Sequence, residues 1–358
     1  MNQKFYRSVV FLAVAVLVAF GAFSVAATTL DVCASGCTFD SVQGAVAAAN
    51  AGGGDVISLG AGVFIGPVQV AKTVDIVGTG ANSVIGGGLI VGGLGITVNV
   101  SNLTLTKGLN GLAVLGASTV VVRDATIAGN ISDGVLVGDV SSVTLFNTVV
   151  ANNGSVIAGN PIGAGISANG AATVTTSAVT VTGNMSGGIV SFGKATLNVG
   201  TLTNVVGNGL AEGVIRGFGG EGIVVAGASN ATIDGALIQG NGASGVAVFE
   251  TGTATVQNSQ IKDNLGPGVR VGGPASANPD VAFTATATIK NNTISGNGSH
   301  GVLVGDPGKV LEGANATVVG NGISNNGGCG VGIDAQGATA AMSDNFFSGN
   351  PDGNTCSL

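Results

Sequence analysis

The sequence predicts an all-β protein, a single parallel β-solenoid of about twelve coils opened by a short N-terminal capping helix. Three observations lead there. Asparagine recurs at Asn130, Asn153, Asn184, Asn208, Asn241, Asn264, Asn297, Asn326 and Asn350, with gaps of 23 or 24 residues four times and 29 to 33 four times. A fixed period lengthened in some copies marks a repeat protein with loop insertions. Each copy opens with Gly-Val-x-Val or a variant, at Gly111, Gly134, Gly165, Gly188, Gly222, Gly245, Gly268, Gly301 and Gly330, and the 23-residue unit holds three short strands and three turns. Gly is 65 of 358 residues and charged residues only 8%, while 45% is hydrophobic, mostly Val, Ala, Ile and Leu at regular places. That regularity selects a packed core over low-complexity disorder.

Taken in order, Lys4 and Arg7 precede an apolar run over 9–20 and small residues ending Val25-Ala26-Ala27. This is the order of a secretory signal peptide over 1–26, leaving 27–358 as the β-helix domain. The stretch 9–27 is long enough for an uncleaved anchor, but the small residues after it favour cleavage. Leu30-Asp31-Val32-Cys33 puts bulky and charged residues where a lipoprotein signal needs small ones. The expected location is secreted, periplasmic or cell surface.

Without the signal, nine Lys or Arg face 18 Asp or Glu. An acidic balance argues against nucleic acid and anionic membrane as partners, and a monomer is expected. Cys33 and Cys37 lie near one end of the chain, Cys329 and Cys356 near the other. Twelve rungs at about 4.8 Å separate the ends by roughly 55 Å, beyond disulfide reach. The expected pairs are therefore Cys33 with Cys37 and Cys329 with Cys356. No metal site is expected at the cysteines, because the one histidine, His300, is 29 residues from Cys329.

Residues 38–51 read as the helix: Asp40 can cap it, Gln43 stands three positions on, and Phe39, Val42, Val46 and Ala49 share a face. It would cover the open end of the stack, where backbone groups lack partners. Short β-rich runs follow at 56–59, 68–70, 74–77 and 98–105. The regular repeats span 111–358. In the copy at Gly245, Val246, Val248, Ala254, Val256 and Ile261 point inward, leaving Ala247, Thr253 and Thr255 outward. The terminal asparagines suit left-handed turn backbone and can bond amide to amide along a ladder. A partial second ladder is expected six positions earlier, at Asp124, Asn147, Asn258, Asn291 and Asp344. Several asparagines fit the glycan-acceptor pattern, but a ladder residue is buried.

The segments Phe39-x-x-Val42-Gln43-x-Ala45-Val46-x-x-Ala49, Gly54-Asp55-x-Ile57-x-Leu59-x-x-Gly62-x-Phe64 and Lys72-x-Val74-x-Ile76-x-Gly78, with the repeats after them, resemble the right-handed parallel β-helix proteins of the pectin-lyase-like superfamily. The resemblance covers nearly all of the mature chain. It implies a single right-handed β-helix and leaves activity open among lyases, hydrolases, epimerases, adhesins and scaffolds.

The insertions at 154–164, 209–221, 272–283 and 305–313 become side loops. The last two hold Asp280, Asp306, Lys309 and Glu312, with Glu250 and Arg270 on neighbouring coils. Lyases of the resembling family use carboxylates that hold calcium against an acidic sugar and a basic group that removes a proton. The resemblance thus makes Arg270, Asp306, Glu250, Asp280 and Glu312 catalytic candidates and calcium a possible cofactor, although no coil carries an acidic pair at strand spacing. The hydrolase motifs are missing apart from Ser299-His300-Gly301, where His300 reads as a turn residue. Aromatic sugar platforms are few: there is no Trp, the single Tyr is in the signal, and Phe218, Phe249 and Phe283 remain.

An outward column pairs Ser142 with Thr144, Thr173 with Thr175, Asn230 with Thr232, Thr253 with Thr255, Thr286 with Thr288 and Asn315 with Thr317. Thr173, Thr175, Thr253, Thr255, Thr286 and Thr288 are the candidate ligand-binding residues of this face. β-Propensity alone also places Thr there. The sparse ionisable groups lead to the expectation of an exported, non-catalytic scaffold that binds glycan or another extracellular surface. The alternatives are a polysaccharide lyase or epimerase, and an ice or crystal-surface binder using the Thr-x-Thr face.

Overall fold

The computed structural model describes residues 27–157, 160–209, 219–273, 284–305, 313–333 and 337–358. The expected signal peptide, and with it Asp280, Asp306, Lys309, Glu312, Phe218 and Phe283, lie outside the described residues.

Short strands such as Thr126–Ala128 and Gln260–Lys262 form a sheet of 12 strands, one per coil. Strands such as Val246–Val248 and Thr253–Gln257 form the other two faces. These join into one 23-stranded sheet, because Leu89–Ser101 and Leu112–Arg123 run unbroken through the corner between them. Consecutive coils pair in parallel. The exception among described strands is the hairpin Ser155–Ile157 with Asn160–Ile162, inside a predicted insertion.

Like stacks on like, as the period demands. Val246 lies between Ile223 and Val269, Ala254 between Ala231 and Ala287, and Ile261 between Ile238 and Ile294. All are buried, each large side chain contributing about 1.5–3 kcal/mol of burial before conformational entropy is subtracted.

The capping helix is Val42–Ala48, shorter than predicted, and its N-cap is Ser41, not Asp40. Ser41 is extended (φ −138, ψ 142) and its hydroxyl accepts from Gly44 N–H at 3.3 Å. Val42, Ala45, Val46 and Ala49 face the core. Gln43 does not complete a capping box. Its amide accepts from Gln69 N–H and donates to Gln69 C=O, at 2.7 and 3.2 Å, which satisfies both backbone groups of an edge residue. Lys72 Nζ donates to the carbonyls of Ala47 and Ala49 at the helix C-terminus, where a cation is favoured.

Asp55 ties this cap to the first coil. Its carboxylate accepts from the N–H groups of Asn50 and Thr28, and from both their side chains. Those bonds, the Asn50 N–H foremost, hold its pKa down at about 2, against an ordinary 3.8. A depressed carboxylate pKa stabilises the fold above the unfolded-state value and ceases to do so as pH falls through the folded value. Urea midpoints of the wild type are expected to drop between pH 3.8 and about 2. Asp55→Asn should be less stable at neutral pH and flatter across that window; an identical profile would show that this carboxylate contributes nothing.

The asparagine ladder is continuous. Nδ2 of Asn130 donates to Oδ1 of Asn153, and the same bond repeats through Asn184, Asn208, Asn241, Asn264, Asn297 and Asn326 to Asn350, at 2.8–3.1 Å. The left-handed backbone sits one residue earlier than predicted, on Gly129, Asn152, Gly183, Gly207, Gly240, Asp263, Gly296, Asn325 and Gly349. Conformation and amide bonding are therefore divided between two adjacent positions. The second ladder is borne out in part. Asp124, Asn147, Asn258, Asn291 and Asp344 are left-handed turn residues, and Asn147 Nδ2 donates to Asp124 Oδ1 on the preceding coil as expected, while in the last coils the amides that bond rung to rung are the next residues, Asn292 to Asn321 and Asn321 to Asn345, each at 3.0 Å.

Both disulfides pair as predicted, Cys33–Cys37 and Cys329–Cys356, with Cα separations of 5.5 and 6.1 Å.

Candidate functional site

The face made by the Gly-Val-x-Val strands presents Val190, Val224, Ala247, Arg270 and Leu303 in register at its outward positions. Alternation predicts Ala247 outward. It does lie outward of the core, yet it is 0% exposed. Ala164, Val190, Val224, Ala226, Ala247 and Phe249 form a second apolar cluster, separate from the core, against which half-buried Phe192 packs. Alternation sets direction, but it does not decide whether a face stays wet.

Two charged residues enter this apolar setting. Arg270, the middle residue of Val269–Val271, is half-buried, its Nε donates to Gly272 C=O at 3.2 Å, and its guanidinium carbon lies 5.6 Å from the centre of the Phe249 ring. That is cation–π distance. Gly273 follows at φ +118, where a Cβ would stand 2.6 Å from an Arg270 Nη. Glu221, at the start of Glu221–Val225, is 7% exposed and accepts from Gly219 N–H at 2.8 Å. Burial raises its pKa; its own and Gly219's N–H groups and the Arg270 charge oppose that. A carboxyl that burial draws towards its neutral form is suited to proton transfer. Sequence reading missed Glu221, because it stands at the end of an insertion with no acidic neighbour.

Glu250 takes a different part. It adopts φ +56 and its carboxylate accepts from Gly227 N–H at 2.7 Å, on the preceding coil. Asp139 does the same, with φ +58 and a 2.8 Å bond from Gly116 N–H. Both residues hold a turn. Phe249 is 1% exposed and offers no face to a sugar. Of the predicted catalytic candidates within the described residues, the structure thus places Arg270 in the cluster and Glu250 in the turn beside it.

The outward Thr column is in register on the adjoining face. Ser142, Thr173, Thr196, Asn230, Thr253, Thr286, Asn315 and Thr339 form one row, and Thr144, Thr175, Asn198, Thr232, Thr255, Thr288 and Thr317 the other. These side chains are half-buried to exposed.

His300 is not remote from the cysteines, as its sequence separation implied. Twenty-nine residues are one coil here, and Cys329 N–H donates to His300 Nδ1 at 3.0 Å. His300, Cys329 and Cys356 are the only group of three or more His, Cys, Asp or Glu side chains, among the described residues, near enough to share an ion.

Twelve stacked parallel coils with a helical cap and an amide ladder inside define a parallel β-helix. The chain belongs to the right-handed β-helix family, whose model, "Right handed beta helix region", matches residues 34–208 and 164–347. No curated protein sequence matches it. Among solved structures, the chain is similar to the A-module of the Azotobacter vinelandii mannuronan C-5 epimerase AlgE6, at 19% identity and TM-score 0.60, over 88% of this chain and 94% of that one. The AlgE4 A-module of the same organism aligns over the same shares at 16% identity and TM-score 0.58. The catalytic unit of a GH87 α-1,3-glucanase from Streptomyces thermodiastaticus aligns at 16% identity and TM-score 0.55, over 88% of this chain and 65% of that one. At these identities the likeness is one of fold.

Proposed function

We propose that the protein is an exported carbohydrate-active β-helix that acts on an acidic polysaccharide as a lyase or epimerase, with its reaction centre at Glu221 and Arg270. The observations that carry this reading are the buried Glu221 carboxyl, which accepts from Gly219 N–H and whose pKa burial raises, and the Arg270 guanidinium on the same outer face, whose charge acts on it. The sparse ionisable groups of the sequence pointed to a non-catalytic scaffold, and a buried carboxyl and a guanidinium on one outer face weigh against it. The epimerase and glucanase names of structures with the same fold agree with a glycan substrate.

Arg270 would hold the carboxylate of a uronate and draw charge from the carbon beside it, while Glu221 takes the proton from that carbon. Elimination of the neighbouring glycosidic oxygen, which takes a proton from water as it leaves, then gives a lyase product, and delivery of a proton from water to the opposite face of the carbanion gives an epimer. A calcium ion could help to neutralise the uronate. The described residues gather no carboxylate cluster to hold one, so no step is assigned to it.

A panel of uronate-containing polysaccharides, with and without calcium, is expected to yield unsaturated ends by ultraviolet absorbance or inverted C5 signals by NMR. Arg270→Ala and Glu221→Gln should each lower the rate by at least about 100-fold. The rate should rise with pH through the raised pKa of Glu221, which must be ionised to accept a proton. Absence of both products across the panel would leave a second reading, favoured by the register-aligned Thr and Asn rows: non-catalytic binding of a glycan or crystalline surface, ice included, through Thr173, Thr175, Thr253, Thr255, Thr286 and Thr288. Pull-down on insoluble polysaccharide and an ice recrystallisation assay distinguish those surfaces.

A further inference from the structure

The C-terminal coils hold a cluster that the proposed function does not use. Val302–Val304, Val331–Ile333 and Thr355–Ser357 stack in parallel, which brings His300, Cys329 and Cys356 together from three different coils. Their potential ligand atoms all lie within 4.8 Å of one another. Cys329 is fully buried, and His300 and Cys356 are half-buried.

The imidazole is built into this place. A Cβ on Gly328 would stand 2.7 Å from His300 Nδ1, and one on Gly332 would stand 3.2 Å from its Cγ. Two glycines of the next coil thus form the slot that admits the ring. The bond from Cys329 N–H fixes the ring against the residue that bears the sulfur and assigns the ring proton to Nε2. Cys356 belongs to the outermost strand, paired on one side only among the described strands, to Val331–Ile333. A small outward shift there can open the sulfurs to metal-bonding distance.

We propose that in the dithiol form Cys329, Cys356 and His300 bind one thiophilic divalent cation of the zinc type, so that disulfide and metal are alternative fastenings of the last coil. Two thiolates and an imidazole suit tetrahedral Zn²⁺, with water in the fourth position. To ligate through Nε2, the imidazole moves its proton to Nδ1 and gives up the Cys329 bond; to ligate through Nδ1, it gives up that bond alone. Either way one hydrogen bond is lost, a small cost beside the binding of a structural zinc ion. An external dithiol delivers two electrons and two protons to the Cys329–Cys356 bond and becomes a disulfide itself. Metal binding then releases the two thiol protons as the thiolates form.

The test uses the mature chain carrying Cys33→Ser and Cys37→Ser, reduced with a phosphine under anaerobic conditions and titrated with Co²⁺. One Co²⁺ per chain is expected, with thiolate charge-transfer bands and the strong visible bands of a tetrahedral site, all displaced by Zn²⁺. The oxidised protein should show none of these bands. His300→Gln keeps an acceptor for Cys329 N–H and should weaken binding by more than the ~10–100-fold typical of a lost outer-shell partner. No charge-transfer bands in the reduced chain, unchanged affinity in His300→Gln, or equal binding by the oxidised chain would each overturn the proposal. Should the serine background fail to fold, the wild type with Cys356→Ser as subtraction control decides it, since only the C-terminal pair differs between them.

Discussion

Asn264→Ala is expected to destabilise the protein by about 3 kcal/mol or more, read as a drop in urea midpoint at pH 7. Asn264 Oδ1 accepts from Asn241 N–H and Nδ2 at 3.1 and 2.9 Å, and Asn264 Nδ2 donates to Ile238 C=O and Asn297 Oδ1 at 3.3 and 2.9 Å. Alanine would strand the Asn241 N–H and leave the Asn241 Nδ2 with only its bond to Val205 C=O, while Ile238 C=O loses its Asn264 donor, all in a dry interior, at about 1–3 kcal/mol for each group left without a partner. Each coil leans mainly on its neighbours, so the cut should also raise amide exchange at Asn241 and Asn297. Asn350→Ala, at the half-buried end of the same ladder, should cost less, because water can replace the lost amide. A loss below about 1 kcal/mol at Asn264 would mean that water reaches the buried ladder as well.

Gly245→Ala should cost about 2–3 kcal/mol although it adds one methyl group. The reason is space, for Gly245 is not among the positive-φ glycines. A Cβ there would meet Gly268 C=O at 2.7 Å, Ile261 Cγ2 at 2.7 Å and Asn264 Nδ2 at 2.8 Å. The same three partners recur at Gly134, Gly222, Gly268 and Gly301: the next glycine's carbonyl, a core branch and a ladder amide. The glycine column and the asparagine ladder are therefore two sides of one packing unit. Gly240→Asn provides the contrast. Gly240 has φ +64 with nothing within 4 Å of a Cβ, and Asn152, Asp263 and Asn325 occupy the equivalent place in other coils. That change should be nearly neutral. Equal losses at the two glycines would refute the distinction between a glycine needed for space and one needed only for its backbone angle.

Much of this architecture was legible in the sequence, and the misses have physical causes. The helix was placed correctly, but Asp40 and Ser41 both suit an N-cap, and only the extended backbone at Ser41 settles which one serves. Gln43 fitted a capping box by spacing, while its partner, Gln69, is 26 residues away and beside it only in space. The left-handed turn was assigned to the ladder asparagine because one residue type can do both jobs. Two adjacent columns share them, and the glycines at 183, 207, 240 and 296 occupy the turn column without resembling the ladder.

The sequence by itself determined the solenoid, its number of coils, the inward residues and the two disulfide pairs. Those follow from a local period and from how far twelve rungs hold the ends apart. Only the tertiary structure decided which charged groups meet and which outward faces are dry. Stacked neighbours lie between 22 and 36 residues apart in the hydrogen bonds that join the coils, because insertions change the offset from one coil to the next. No fixed spacing can therefore reveal that Arg270 lies over Phe249, or that His300 rests against Cys329. Alternation gives each side chain a direction, and what packs over it is a property of the folded chain.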